Sequence, residues 1–212
     1  MITIETFVVN FFSENTYILF DETKEAVIID CGCLFPKEQK AVSDYITQHE
    51  LTLRHNLCTH LHLDHTFGNT FIHATYGLSP EAHVGDVVGL PSLSDQARAF
   101  GVPLNIKEVP VEHCLSEGDI ITFGNSELKV IAMPGHSPGG VAFYCEKEKF
   151  VIVGDSLFAG SIGRTDLWGG DQETLIDAIY TKLFSLPDET VVYNGHGPST
   201  QINYEKLNNP YL

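Results

Sequence analysis

Thr59-His-Leu-His-Leu-Asp-His65 packs four potential metal ligands into six positions. His60 and His62 stand two apart, so in an extended segment both imidazoles leave the chain on the same side. Asp64 continues that alternation, and His65 reaches the same region where the chain turns. One short loop therefore aims two pairs of donors at two neighbouring points. Neutral imidazole and carboxylate suit zinc, with manganese and iron as alternatives.

Such a site needs further ligands from elsewhere in the chain, and the sequence offers three. His136 lies in Met133-Pro-Gly-His-Ser-Pro-Gly-Gly140, directly after the apolar run Leu128 to Ala132. Asp155 follows Phe150-Val-Ile-Val-Gly154, a continuous apolar run of the kind found in buried strands. His196 sits in Asn194-Gly-His-Gly-Pro198 after Thr190-Val-Val-Tyr193. Three strand ends and one strand-to-helix loop thus each present a ligand. The other histidines (His49, His55, His73, His83 and His113) lack this setting and are expected to be surface or core residues.

The His-x-His-x-Asp-His run and the three spaced single ligands resemble the metallo-β-lactamase superfamily over essentially the whole chain. Within it, Gly154-Asp-Ser-Leu-Phe-Ala-Gly-Ser-Ile-Gly-Arg-Thr-Asp166 is similar to the glyoxalase II (hydroxyacylglutathione hydrolase) branch in its short form. The related persulfide dioxygenases carry a similar segment. The resemblance implies an α/β (α+β) fold, a four-layer αββα sandwich with metals at one edge between the sheets. It also implies two divalent ions, zinc first and iron or manganese as alternatives. One would take His60, His62 and His136, and the other Asp64, His65 and His196, with Asp155 as the bridge. The implied nucleophile is a hydroxide between the metals, whose pKa falls to about 7 from about 15.7 in bulk water. Asp64 would orient it besides ligating. A thiolate leaves with little or no protonation, its pKa being about 8.5, so a small-molecule thioester is the expected substrate. The alternatives are a persulfide dioxygenase with mononuclear iron and a hydrolase of another ester or lactone.

Arg164 falls where glyoxalase II enzymes direct a basic residue toward the glutathione carboxylate, a geometry a guanidinium meets in bidentate fashion. The competing reading pairs it with Asp166 to hold the loop. The longer enzymes of that branch carry a tyrosine near this loop and basic residues in a C-terminal helical domain. Here Asp166 takes roughly the tyrosine's place, and sixteen residues (197 to 212) follow His196. A thiol other than glutathione therefore stays open.

Composition frames this reading. The 212 residues suit a single domain spanning 1–212 with a substantial core, and 43% hydrophobic content is ordinary for a globular chain. No run approaches the roughly 20 apolar residues of a membrane span, and no signal peptide is apparent, so a cytoplasmic location without membrane partners is expected. With 28 acidic against 12 basic residues the net charge is −16, and no basic track suits nucleic acid. The five cysteines are odd in number and scattered. The close pair Cys31-Gly-Cys33 lacks structural-zinc spacing, so reduced, partly buried thiols are expected. The oligomeric state has no signature.

Periodicity predicts strands at 2–9, 16–20, 26–30, 120–123, 128–132, 141–144 and 150–153, and helices over 37–49 and 68–76. The N-terminus of the second helix is expected to abut the metals. Residues 79–110 read as a mixed lobe of short elements. After Asp171, a plain N-cap candidate, Leu175, Ile176, Ile179, Tyr180, Leu183 and Phe184 form an apolar stripe at helical spacing.

Overall fold

In the computed structural model, which describes residues 1–102 and 107–212, short turns and long crossovers decide the sheet directions. Strands β1 (Thr3–Val9), β2 (Glu14–Phe20) and β3 (Glu25–Ile29) follow one another through tight turns and pair antiparallel. Asn10 and Ser13, with φ of 50° and 58°, and Lys24, with φ of 69°, supply the left-handed backbone those turns need. Helix α1 (Pro36–Gln48) then carries the chain back across the sheet. As a result β4 (Thr52–Leu57) runs parallel to β3, and β5 (Pro80–His83) and β6 (His113–Leu115) continue in parallel. Pro36 opens α1, and the Glu38 carboxylate reaches back to accept from the Phe35 N–H at 3.0 Å.

The second sheet contains β7 (Ile120–Phe123), β8 (Ser126–Ala132), β9 (Val141–Cys145) and β10 (Phe150–Ile152) as an antiparallel meander. A small hairpin of β11 (Leu157–Phe158) and β12 (Ser161–Ile162) follows, then helix α6 (Gln172–Ala178). Strand β13 (Val191–Tyr193) pairs parallel with β10, and β14 (Thr200–Gln201) closes the edge before α7 (Ile202–Asn208). Among the described residues each sheet has six strands. Asp171 caps α6 by accepting from the Thr174 N–H at 2.7 Å. Beyond Ala178 the coil widens over Ile179–Leu183, with the Phe184 N–H donating to the Ile179 carbonyl five residues back at 2.9 Å. Leu175, Ile179 and Leu183 of the predicted stripe are fully buried, whereas Tyr180 is half exposed because the stripe is narrower than its spacing implies.

Alternation along the strands builds the layers. Tyr17, Leu19, Val27 and Ile29 face Leu128, Val130, Phe143, Phe150 and Ile152 between the sheets. Ile18, Phe20, Ala26 and Ile28 point the other way and receive Val42 and Ile46 of α1. Val151, Val153 and Ala142 likewise receive Leu175, Ile179 and Ile202. Because central strands are apolar on both faces, they read as continuous runs in the sequence. The result is the four-layer αββα sandwich, with helices on both outer faces.

The helix expected over 68–76 is present as α3 (Asn69–Tyr76), and a single turn that was not expected, α2 (Leu63–Thr66), precedes it in the ligand loop. Gly68 breaks the pair: a Cβ there would lie 2.4 Å from Cys31 Sγ, so the chain passes close against the end of β3. The 79–110 stretch is only partly a lobe. Its first strand, β5, belongs to the main sheet, and α4 (Val84–Gly89) and α5 (Leu93–Ala99) cover the ligand loop. Its positions 103–106 lie outside the described residues. No helix among the described residues is long and apolar enough to cross a membrane.

The two sheets are joined far from the ligand loop by Asp21, a buried carboxylate at the end of β2. It accepts from Thr23 N–H (2.9 Å), Asn125 N–H (2.7 Å) and Ser126 Oγ (2.8 Å). Burial alone would raise its pKa, but these donors outweigh it and hold the carboxyl down at about 2. The folded-state value lies below the usual 3.8, so this stabilisation is complete above about pH 4 and is lost as pH falls toward 2. Asp21→Ala is expected to cost about 2 kcal/mol of stability and to flatten the acid limb of a urea-unfolding series between pH 4 and 2. An unchanged acid limb would show that the carboxylate does not join the sheets.

Candidate metal centre

The ligand loop is positioned by two buried carboxylates that flank it. Asp30, the residue after β3, accepts from Thr59 N–H and from Thr59 Oγ1, each at 2.6 Å, fixing the start of the loop. Asp86 on α4 accepts from the Leu61 N–H at 2.8 Å, the Gly139 N–H at 2.5 Å and Ser137 Oγ at 3.1 Å. It thereby ties the His60–His62 segment to the turn that carries His136. Gln96 on α5 bonds the loop on both sides of His62, donating to the Leu61 carbonyl and accepting from the Leu63 N–H, both at 3.1 Å. The His196 turn is held by the other half of the molecule. Asn15 Nδ2 donates to the Asn194 and Gly197 carbonyls at 3.0 Å, and the Gly195 N–H donates to Gly154 at 2.8 Å.

These constraints bring all seven predicted donors into one cluster. His60, His62 and His136 form one group and Asp64, His65 and His196 another, the ligand atoms within each lying inside 4.8 Å of one another. His62 Nδ1 and His136 Nε2 are 2.9 Å apart. Asp155 lies between the groups: its Oδ1 is 3.4 Å from His65 Nε2, while its Oδ2 is 3.7 Å from His136 Nε2 and 3.5 Å from His196 Nε2. Asp64 Oδ2 stands 3.3 Å from His196 Nε2. Gly195 makes this approach feasible, because a Cβ there would sit 2.1 Å from Asp155 Oδ1.

The outer nitrogens of the rings have protein partners. His136 Nδ1 faces the Arg164 carbonyl at 2.7 Å, His65 Nδ1 the Asp30 carboxylate at 3.1 Å, and His196 Nδ1 the Phe12 carbonyl at 3.1 Å. Acceptors at those positions hold the proton on Nδ1 and leave the Nε2 lone pair pointing inward, the arrangement that orients metal-binding imidazoles. Inside the cluster the pattern is reversed. His60 Nε2, His65 Nε2 and Asp155 Oδ1 are buried without a hydrogen-bond partner, and His62 turns its Nδ1 inward toward His136 Nε2. Buried polar atoms are seldom left unpaired, and a set of inward-facing nitrogens and carboxylate oxygens is what a cation supplies with partners. The donor set therefore fits a dinuclear metal site. Asp30 also lies near His60 and His65, but its oxygens are already taken by Thr59 and His65, so it orients ligands and does not ligate.

Electrostatics follow the same division. Burial, reinforced by His65 and His62, pushes His60 well below its ordinary pKa. Burial and His136 push His62 down to about 3. Both are neutral and ready to ligate at physiological pH. Burial would also lower His65 and His196. Asp155 and Asp64 around the first, and a hydrogen bond that the second donates to Asp64, outweigh burial and raise both. Burial raises Asp155, but the charges of His65, His136 and His196 hold it far below the carboxylate range.

Arg164 does not extend toward the centre. Its Nε and Nη2 clasp Asp166 at 2.7 and 2.8 Å, exposed to solvent, so the loop-holding reading describes its side chain. The remaining histidines have ordinary roles. His55 pairs with Glu81 at 2.7 Å, His49 stacks on Tyr45, and His83 Nδ1 caps α4 by accepting from the Gly85 N–H. Cys31, Cys33, Cys58 and Cys145 are buried free thiols and Cys114 is exposed. The sequence reading passed over Asp30, Asp86 and Glu14, the last fully buried with Oε1 3.8 Å from His65 Nδ1. Asp30 had a signal: Val27-Ile-Ile-Asp30 ends a buried strand in aspartate, just as the run before Asp155 does. Asp86 and Glu14 had none.

This fold with this donor cluster defines a metallo-hydrolase, and residues 9–196 match the model of the metallo-beta-lactamase superfamily, to which the chain belongs. It is 36% identical to the hydroxyacylglutathione hydrolase GloC of Haemophilus influenzae over 99% of this chain and 97% of that one. Among solved structures, the BLEG-1 B3 metallo-beta-lactamase superposes with a TM-score of 0.87 at 34% identity, covering 99% of each chain. TTHA1623 in a di-iron-bound form superposes with a TM-score of 0.85 at 34% identity, covering 98% of this chain and all of that one.

Proposed function

We propose that the protein is a dinuclear metal-dependent thioesterase of the hydroxyacylglutathione hydrolase type, with zinc as the first candidate metal. The observation that carries this reading is Asp155, placed with one oxygen toward His65 and the other toward His136 and His196. A carboxylate so placed serves two cations at once. When bound, the metals supply a water activated near neutral pH and an electrophile for the substrate carbonyl oxygen. Asp64 and Asp155 offer carboxylate oxygens that orient that water. In the overall step the carbon–sulfur bond breaks, the water oxygen joins the acyl carbon, and its protons are shared between the carboxylic acid and thiol products. A thiol of pKa about 8.5 leaves as thiolate, so the site needs no general acid. The likeness to GloC supports a thioester substrate. The net charge of −16 supports a small molecule over nucleic acid.

The test is thiol release from S-lactoylglutathione and from S-acetyl-N-acetylcysteamine, with metal content and dissolved oxygen followed on the same sample. Thiol release without oxygen uptake, on protein holding two metals, is expected. Chelation should abolish it and added zinc restore it. Oxygen consumption with a persulfide on protein holding one iron would replace this reading by the dioxygenase one. The di-iron neighbour makes iron the second metal to test.

A further inference from the structure

Three separate segments place aromatic rings in a continuous strip that ends on the metal cluster. Phe11 and Phe12 come from the turn between β1 and β2, Phe100 from the end of α5, and Trp168 from the loop before α6. Successive ring centroids are 4.8 Å apart for Phe11–Phe12, 6.1 Å for Phe12–Phe100 and 6.0 Å for Phe100–Trp168. The strip then meets His62, whose ring lies 6.3 Å from Trp168. On the opposite flank Phe158 stands 6.3 Å from His196. Phe12 and Phe100 also cover the small core of Leu63, Ala97 and Val102, but Trp168 stands outside that cluster, and Phe11 is 53% exposed. Core packing therefore accounts for only part of the strip.

Charge points the same way. Glutathione brings two carboxylates against one ammonium, and the chain it would meet carries −16. The guanidinium of Arg164, a residue whose backbone carbonyl faces His136, is clasped by Asp166. That of Arg98, two residues before Phe100, is paired with Asp95 at 3.0 Å. Each guanidinium already faces a carboxylate of its own segment, while the aromatic faces are offered within one ring's reach of a metal ligand.

We infer that this strip is the substrate-specificity surface, and that it selects thioesters bearing an uncharged, apolar or aromatic substituent over glutathione thioesters. The inference rests on the thioesterase reading for its kinetics, but the binding of an apolar ligand at Trp168 stands apart from it. Trp168 is the chain's one tryptophan, so its emission reports this surface alone.

The experiment has two parts on metal-loaded protein. In the first, Trp168 fluorescence is titrated with S-benzyl-N-acetylcysteamine and with S-methylglutathione, neither of which can be hydrolysed. Saturable perturbation by the benzyl thioether, at least about tenfold tighter than by the glutathione thioether, is expected. Equal or reversed affinities, or no response to either, would overturn the inference. In the second, kcat/KM is measured for N-acetylcysteamine thioesters with acetyl, butanoyl and hexanoyl groups, whose intrinsic reactivities are close. Burial of each methylene should raise kcat/KM about fourfold, and Trp168→Ala should flatten the slope while Trp168→Phe keeps most of it. A flat wild-type series overturns the inference and leaves the thioesterase reading intact. Benzyl thioether binding without hydrolysis of any thioester keeps the apolar surface and removes the thioesterase reading.

Discussion

Asp155→Ala protein should hold about one metal per chain in place of two and lose thioester hydrolysis by about 10³-fold or more. The expectation follows from geometry. Both carboxylate oxygens are committed inward, one toward His65 and one toward His136 and His196. Deleting them removes a donor from each group and the negative charge that offsets two close cations. Losing a single electrostatic contact to a transition state typically costs 10² to 10³ in rate, and here the attacking water loses its positioning as well. Asp155→Asn is the sharper variant, since it preserves shape and one acceptor oxygen while removing the charge. It should retain the His60–His62–His136 site and weaken the second. Metal analysis after gel filtration and thiol-release kinetics decide the matter. Two metals retained with near-normal turnover would sink the bridging role.

How far the sequence carried this picture depends on whether a signal was local. His60, His62, Asp64 and His65 announce themselves because their spacing is a property of one short segment. Asp155 was readable because it ends a run, Phe150 to Val153, that alternation buries on both faces. Two structural features defeated the reading for a physical reason. The single turn α2 has only four residues, too few for a helical period to show in the sequence. Strand β5 has only four residues and gains its place by pairing with β4 and β6, which periodicity cannot register. Asp86 was invisible for the same reason. Its importance lies in joining Leu61 to Gly139 across the site, and neither partner is near it in sequence. Arg164 was legible in two ways, and its pairing with Asp166, one of the two, is a contact between near neighbours.

Asp30 is where the next largest effect is expected. It is buried, adopts a left-handed φ of 52°, and serves three donors: Thr59 N–H, Thr59 Oγ1 and His65 Nδ1. Its carboxylate holds His65 in the tautomer whose Nε2 lone pair faces Asp155. An amide in its place can keep one acceptor oxygen for Thr59 but turns an N–H toward His65. The imidazole must then accept at Nδ1 and carry its proton on Nε2, where it cannot ligate. Asp30→Asn should therefore weaken metal binding at the Asp64–His65–His196 site by about 10- to 100-fold, the usual effect of removing such a partner. Each lost bond to the buried carboxylate should also cost about 1.5–3 kcal/mol of stability. A purely structural Asp30 would lower the unfolding midpoint while the folded fraction bound both metals with unchanged affinity. Metal titration of the folded variant, read against the unaltered His60–His62–His136 site as an internal reference, separates the two. Selective loss at the second site identifies Asp30 as the residue that sets the protonation of His65, and equal retention at both refutes it.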